Sequence, residues 1–429
     1  MAMLPAKEAE SIILGLVQPF DQQIDAEIVE LSAATGRILA SPVTSQWDFP
    51  HWDNSAMDGY AVRSADVQSC NAEQPAELEI VEEIPAGIEP QSTIQPGQAS
   101  RIFTGACMPQ GADTVVMQER TRCEGSRVFI LEAPKPQAFV RHRASFYQAG
   151  TPLLQPGITL NAAEIAVLAA AGCTHLPVYR RPRVAILSTG NELVTPDQPL
   201  QPGQIVDSNQ YALAAFVTGA GGVPVPLGIV RDEPEALENA IAQAISSADM
   251  VLSTGGVSVG DYDYVDRILA ELGAQIHIRS VAIKPGKPLT VATFPPASKG
   301  SQGGAKRPVL YFGLPGNPVS ALVTCWRFVQ PALWKLSGLS QEAWEPVFVQ
   351  ARSHHELRSD GRRETYLWGR LKIDRSGNYE FYLAGGSHSS GNLINLAQTT
   401  GLAVVSVGQT LIPAGEFVQV LQIGFPKVA

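Results

Sequence analysis

The chain has 429 residues, and at about 150 residues per domain this is a prior of roughly three domains. With 45% hydrophobic and 17% charged residues it has material for large cores and is too apolar for a disordered protein. Its 31 Lys plus Arg against 41 Asp plus Glu give a formal net charge of −10, which disfavours DNA or RNA as the main ligand. Any bound anion must be held locally, by backbone N–H groups and a few cations. The five cysteines form no CxxC pair, which argues against a zinc ribbon or a disulfide framework and fits a reducing compartment. With no signal-peptide pattern at the start and no stretch near ~18 apolar residues, the expectation is a soluble cytoplasmic protein without a membrane or nucleic-acid partner.

Residues 5–20 predict one amphipathic helix, with Ile12, Ile13, Leu16, Val17 and Phe20 on a single stripe and Pro5 in its first turn. From Trp47 to Gly150 short alternating runs (LEIVEEI, SRVFIL, DTVVMQE) are separated by Gly and Pro, predicting a small β-rich domain. Residues 161–171 return to helix, closed by Gly172.

Beyond Arg183 strands and helices alternate. VAILS (184–188) is followed by a helix opened by Asp207 or Ser208, then by the strand VPVPLGIV. Asp232–Glu235 resembles a capping box before a helix carrying Leu237, Ile241 and Ile245. DMVLS (249–253) is a buried strand, and Val265, Ile268, Leu269 and Leu272 mark the next helix. Strands near 276–283, 289–294 and 309–313 precede a long helix entered through Asn317 and Pro318. This is the signature of an α/β domain with a mainly parallel sheet. The Gly, Ser and Lys rich segment 295–308 reads as a mobile loop tip within that sheet. After Gln341 the pattern is β-rich again, predicting a C-terminal all-β domain.

Two strands end alike, in AILSTG (185–190) and MVLSTG (250–255), and a third ends in FGLPGNPVS (312–320), whose Asn317 is placed to cap the next helix. In a parallel sheet such ends share one rim, where ligands bind. Glycines admit a close backbone approach, and helix N-termini attract phosphate. Three such turns favour a phosphate-bearing ligand over tight turns made only for chain reversal. GxGxxG and GxxxxGK[ST] are absent, so Rossmann and Walker sites are not supported. Lys284-Pro285-Gly286-Lys287-Pro288 admits two readings, a solvated hairpin tip or a pair of phosphate-facing cations. Asp261 and Asp266 read as helix caps, whereas Glu192 and Asp263 sit close behind two rim turns, where carboxylates beside phosphate usually hold Mg²⁺. Asp58, between Met57 and Gly59, is either an Asx-turn residue bonding its own backbone or a functional carboxylate.

Taken together, DNSAMDGYAV, RIFTGACMPQGAD, STGNEL, DSN (207–209), GGVSVGDYDYV, KPGKP and GLPGNPVSA resemble the molybdopterin molybdenumtransferase family, which includes MoeA and the gephyrin E domain. The motifs run from about residue 47 to 325, and the flanking ends also fit. The resemblance implies a homodimer of four-domain subunits. These are a discontinuous domain (1–46 with 149–180), an inserted β-rich domain (47–148), a molybdopterin-binding α/β domain (181–340) and a barrel-like β domain (341–429). It also implies the reaction: molybdate enters the dithiolene of adenylylated molybdopterin and AMP leaves, with Mg²⁺ required. Protein partners in keeping with it are the molybdopterin adenylyltransferase and apo-molybdoenzymes. A molybdopterin-binding or adenylylating protein and a gephyrin-like scaffold are the alternatives.

Matched position by position, the resemblance implies catalytic roles for Asp58, Thr104, Glu192, Asp232 and Asp263. Ligand contacts fall on Arg141, Ser253, Gly255, Gly256, Ser258, Lys284, Lys287, Pro315, Gly316, Asn317, Pro318, Arg362 and Ser387. Mg²⁺ would be held through Asp58, Glu192 or Asp263. One departure stands out: where the family carries Gly-Glu-Asp, this chain has Ala144-Ser145-Phe146, so an acidic residue treated as functional is replaced by an aromatic.

Overall fold

The computed structural model describes residues 3–255, 262–296, 307–424 and 427–428, with 262–264 and 427–428 as backbone only. The 295–308 segment predicted as a loop tip therefore lies mostly outside the described residues. The chain forms two compact units. One comprises the N-terminus to Ser41, Pro156–Asn161 and everything from His175; the other comprises Pro42–Gln155 with Ala162–Thr174.

The larger unit is organised by a six-stranded sheet in the order Val223–Val230, Arg183–Thr189, Met250–Thr254, Val309–Leu314, Pro288–Phe294, Gln275–Ser280. The first four strands are parallel, and the last two are antiparallel to their neighbours. The central strands are apolar throughout because both faces are covered. Val184, Ile186, Met250, Leu252, Leu310 and Phe312 enter one core, while Ala185, Leu187, Val251, Val309 and Tyr311 enter the other. The N-terminal helix, Ala6–Leu16, is shorter than its periodicity suggested, because the backbone is extended from Val17. Val17 and Phe20 still join the same core from extended chain, and Pro5 is the residue before the helix rather than in it. Phe20 is stacked by Arg180 and Arg307, and Arg180 makes a two-pronged pair with Asp249 at 2.7 and 2.6 Å.

After Asn317 the chain stays helical to Leu336, with a π-helical turn at Cys325–Val329. This turn brings Arg327 into the interior, where it pairs with Glu10 at 2.7 and 3.0 Å and donates to the Tyr366 hydroxyl at 2.8 Å. The C-terminal strands Phe348–Ser353, Glu364–Ile373, Tyr379–Leu383, Gly401–Val405 and Phe417–Gln422 pair in a ring that closes on itself as a five-stranded barrel. Leu371, Phe381, Ala403 and Val420 are among the residues filling it. The fold is thus multidomain α/β with a closed β-barrel, as expected.

The smaller unit holds a second six-stranded sheet, in the order Thr114–Met117, Gly59–Val62, Gln98–Ile102, Ala76–Ile84, Arg127–Ile130, Thr121–Glu124. Its helix Ala162–Ala170 ends as predicted: Cys173 and Gly172 donate to the carbonyls of Leu168 and Ala169, with Gly172 at φ +73°. All five cysteines are free thiols, and no described helix is long and apolar enough to cross a membrane.

Candidate functional site

In the larger unit the parallel strands end at Val230, Thr189, Thr254 and Leu314 along one edge of the sheet. The antiparallel strand Pro288–Phe294 begins at that same edge, because Thr290 pairs with Gly313. The KPGKP turn therefore lies beside the GLPGNP turn. With strands about 4.8 Å apart, this edge spans about 19 Å.

Three turns meet there at close quarters. A Cβ on Gly255 (φ +88°) would lie 2.1 Å from the Thr189 carbonyl oxygen, so the two Ser-Thr-Gly turns pack through a glycine no other residue can replace. Gly316 lies against Gly255, with its own Cβ position 3.6 Å from the Gly255 Cα. Asn209, from the DSN motif, donates its side-chain amide to the Gly316 carbonyl at 2.7 Å and so latches the third turn. The helix Asn209–Gly219 is capped by Asp207, whose Oδ1 accepts from the Gln210 N–H at 3.1 Å.

Two predicted caps do other work. Asp232 accepts from the Asn191 N–H at 3.3 Å while its own N–H donates to Asn191 Oδ1 at 3.3 Å. The helix Pro234–Ser247 has no side-chain cap at Glu233, so the capping box does not form. Asn317 likewise does not cap through its side chain, which donates instead to Ser390 Oγ at 3.2 Å. Ser253, predicted to touch ligand, turns inward: it is 4% exposed and its hydroxyl meets the buried Tyr311 phenol at 2.5 Å. Burial pushes that phenol up to about 12. The hydroxyl is spent in the core, because Ser253 alternates with core-facing neighbours on a sheet covered on both faces.

Glu192 folds back over Gly190, its carboxylate oxygens 2.7 and 2.8 Å from where a Cβ would stand there. The residue is exposed, and its carboxylate has no hydrogen-bond or ion-pair partner among the described residues. Asp263 lies in the first turn of the helix Tyr262–Glu271, described as backbone only; Gly256 and Ser258 lie outside the described residues. Asp266 pairs with Arg279 at 2.6 Å.

The barrel brings two loops to this edge. Ile283–Lys284 pairs with Glu364 and Thr365, and Lys284 Nζ donates to Asp360 Oδ2 at 3.1 Å, two residues from Arg362. KPGKP is thus stitched to the barrel rather than a free hairpin tip. The loop bearing Ser387 also carries Ser390, which meets Asn317. Pro315 is buried, and Pro318 opens the helix. Lys284, Lys287, Arg362 and Ser387 are all exposed.

The smaller unit assembles its own cluster. Asp58 does not bond its own turn: its Oδ1 accepts the Thr104 N–H at 2.7 Å and the Thr104 hydroxyl at 2.8 Å. These bonds, in that order, together with the charge of Arg101, hold its carboxyl below the usual range. Gly59 follows Asp58 because a Cβ there would sit 1.9 Å from the Val116 carbonyl oxygen. The same loop pairs Asn54 and Ser55 with Arg141 and Val140, bringing Arg141 to the Asp58–Thr104 side of the unit. Asp53 is occupied in anchoring that segment. It accepts the Arg143 N–H at 2.7 Å and lies 3.0 Å from His142 Nδ1. Partial burial of Asp53 opposes ionisation, yet these partners hold its carboxyl below the usual range. Phe146, in place of the family acid, is 73% exposed and brings no charge.

Comparison with known proteins places the whole chain in one family. The chain matches the MoeA N-terminal region (domain I and II) over 4–172, a probable molybdopterin binding domain over 185–335 and the MoeA C-terminal region (domain IV) over 350–423. It is 64% identical to a molybdopterin molybdenumtransferase of Nostoc sp., over 98% of this chain and 94% of the relative. The chain belongs to the molybdopterin molybdenumtransferase family. A second molybdopterin molybdenumtransferase, from Haemophilus influenzae, is 35% identical over 95% of this chain and 98% of its own. The crystal structure of the molybdopterin biosynthesis MoeA protein from Pyrococcus horikoshii superposes with a TM-score of 0.82 at 26% identity, covering 98% of this chain and 100% of that one. Within this family framework, Asn191, Asn209, Asp360 and Ser390 are the residues that motif reading left without a role. Only Asn191 and Asn209 stood inside quoted motifs; Asp360 and Ser390 carry no local signal.

Proposed function

We propose that this protein inserts molybdate into the dithiolene of adenylylated molybdopterin and releases AMP, completing the molybdenum cofactor. The observation that carries this reading is the meeting of the Thr189, Gly255 and Gly316 turns beside KPGKP on one edge of the sheet. The edge offers backbone N–H groups at strand ends and helix starts, with Lys284, Lys287 and Arg362 as local cations against the acidic net charge.

In this reading the backbone turns and lysines bind the phosphate end of the ligand and fix its direction along the edge. Glu192, an exposed carboxylate beside those turns with no partner among the described residues, fits a magnesium ion that takes few protein ligands. Bound Mg²⁺ would neutralise phosphate charge. Among the described residues no three acidic, His or Cys side chains cluster, in keeping with a metal that draws most of its ligands from phosphate and water. Asp58 stays charged at neutral pH, so it orients the reacting groups rather than donating a proton. Molybdate and Asp58 are both anions, so a cation or a shared proton must stand between them.

Each subunit of a two-fold homodimer would supply one half of a composite site, Asp58, Thr104 and Arg141 from one chain and the α/β edge from the other. The four-domain division given above accompanies this reading, as does cytoplasmic location. A monomer in solution with undiminished turnover would rule the composite site out. The function is tested by mixing the protein with adenylylated molybdopterin, molybdate and Mg²⁺, following AMP release and activation of a molybdenum-free apoenzyme. Ligand binding without AMP release would leave only a molybdopterin-binding or scaffolding role.

A further inference from the structure

The two lysines of KPGKP differ in what they face. The Lys287 ammonium has no hydrogen-bond or ion-pair partner among the described residues. Lys284 is already engaged: its ammonium donates to Asp360 Oδ2 at 3.1 Å, with the two side chains 46% and 35% exposed. Asp360 is held in place, because its other oxygen accepts the Arg362 N–H at 3.0 Å and the adjacent Ser359 N–H donates to the Thr410 carbonyl at 2.9 Å. The pairing of Ile283–Lys284 with Glu364–Thr365 fixes the two segments in register. The N–H of Arg362, then Lys284, keeps the Asp360 carboxyl below the usual range, so it is a full negative charge at neutral pH.

A carboxylate standing beside a phosphate site repels the ligand unless it has another task. Resting on the reading of this edge as the phosphate site, we propose that Asp360 is a positioning residue that competes with the ligand's phosphate for Lys284. It holds the ammonium while the site is empty, gives it up when phosphate binds and takes it back when AMP leaves. The exchange is feasible because an exposed ion pair is worth little, whereas a phosphate carries more charge and more acceptor oxygens than a carboxylate. The Arg327–Glu10 pair, at 4% and 17% exposure, is by contrast a fixed structural contact.

The test is calorimetric titration with AMP and with adenylylated molybdopterin, alongside stopped-flow measurement of AMP dissociation. The variants are Asp360→Asn, Asp360→Glu, Lys284→Met and the double variant Asp360→Asn/Lys284→Met. Asp360→Asn is expected to bind both ligands about two- to five-fold tighter, the weight of one exposed ion pair. AMP dissociation slows by a similar factor. Asp360→Glu returns toward the native values, and in the Lys284→Met background the gain vanishes. An affinity in Asp360→Asn that is unchanged or weaker overturns the proposal, as does an equal gain without Lys284. If Lys284→Met alone binds both ligands as tightly as the native protein, the phosphate reading of the edge fails and takes this proposal with it. A weakened Lys284→Met beside an unchanged Asp360→Asn rejects only the role of Asp360.

Discussion

Thr104 directs both of its donors, backbone N–H and hydroxyl, at a single oxygen of Asp58, at 2.7 and 2.8 Å. The two residues come from the MDGY and FTGA motifs, 46 positions apart. The contact ties the two motifs to each other, and it makes Asp58 a fixed, charged group. Asp58→Asn keeps an acceptor for both Thr104 donors while removing the charge. The expected variant unfolds within a few degrees of the native protein and still binds adenylylated molybdopterin. It loses molybdate insertion by about 10²-fold or more. Full turnover would reduce Asp58 to a structural acceptor.

The pH dependence follows from the same contact. The carboxyl of Asp58 is held below its ordinary 3.8, by the Thr104 N–H first and the hydroxyl second. A carboxyl with a depressed folded value adds stability above its unfolded pKa and loses it as pH falls through the folded one. From about pH 5 to 8 its charge is constant, so no acid limb of the rate profile in that range belongs to Asp58. Thr104→Val keeps the N–H and drops the hydroxyl. It is expected to raise the carboxyl's titration toward 3.8 without passing it. Carbonyl-carbon NMR titration of the two proteins reads this directly, and identical midpoints would contradict it.

Two glycines on the α/β edge separate folding from ligand approach. Gly255→Ala puts a Cβ at 2.1 Å from a backbone oxygen at φ +88° and should cost about 2 kcal/mol or more of stability. Gly316→Ala meets its nearest neighbour at an ordinary 3.6 Å, so its unfolding temperature should barely move. If the phosphate end rests on this turn, Gly316→Ala nevertheless weakens binding of AMP and of the adenylylated pterin. Native affinity there would move the phosphate elsewhere along the edge.

The buried pair of Glu10 and Arg327 fastens the N-terminal helix to the π-helical turn. Glu10→Ala leaves the guanidinium buried with the Tyr366 hydroxyl as its one hydrogen-bond partner among the described residues and should cost about 3–5 kcal/mol. Replacing both residues, as Glu10→Leu/Arg327→Met, should recover most of that loss, since two apolar side chains impose no desolvation penalty. Thermal unfolding of the three proteins checks the order, and a double variant no better than Glu10→Ala would contradict it.

Much of the architecture was legible in residue order. VAILS and MVLST read as buried strands because a sheet covered on both faces needs apolar side chains on both parities. Gly172 marked its helix end because only glycine enters the left-handed region cheaply. The turns after the two Ser-Thr-Gly strands and GLPGNP pointed to one edge for the same topological reason that parallel strands share a direction. The N-terminal helix ran short because Val17 and Phe20 continue the apolar stripe from extended chain, which periodicity does not distinguish from helix.

Partner choice among polar side chains was settled only by the fold. Asn317 and Ser253 look in sequence like residues of the edge, but Asn317 reaches to Ser390 and Ser253 turns to Tyr311. Asp232 looks like a cap and instead joins Asn191. Lys284 and Asp360 are 76 positions apart, and nothing near either residue announces the other. The periodicity of apolar residues is set locally by the pitch of helix and strand, so a linear pattern determines it. A hydrogen bond or ion pair depends on two atoms arriving within about 3 Å of each other, and that is decided only when distant segments pack.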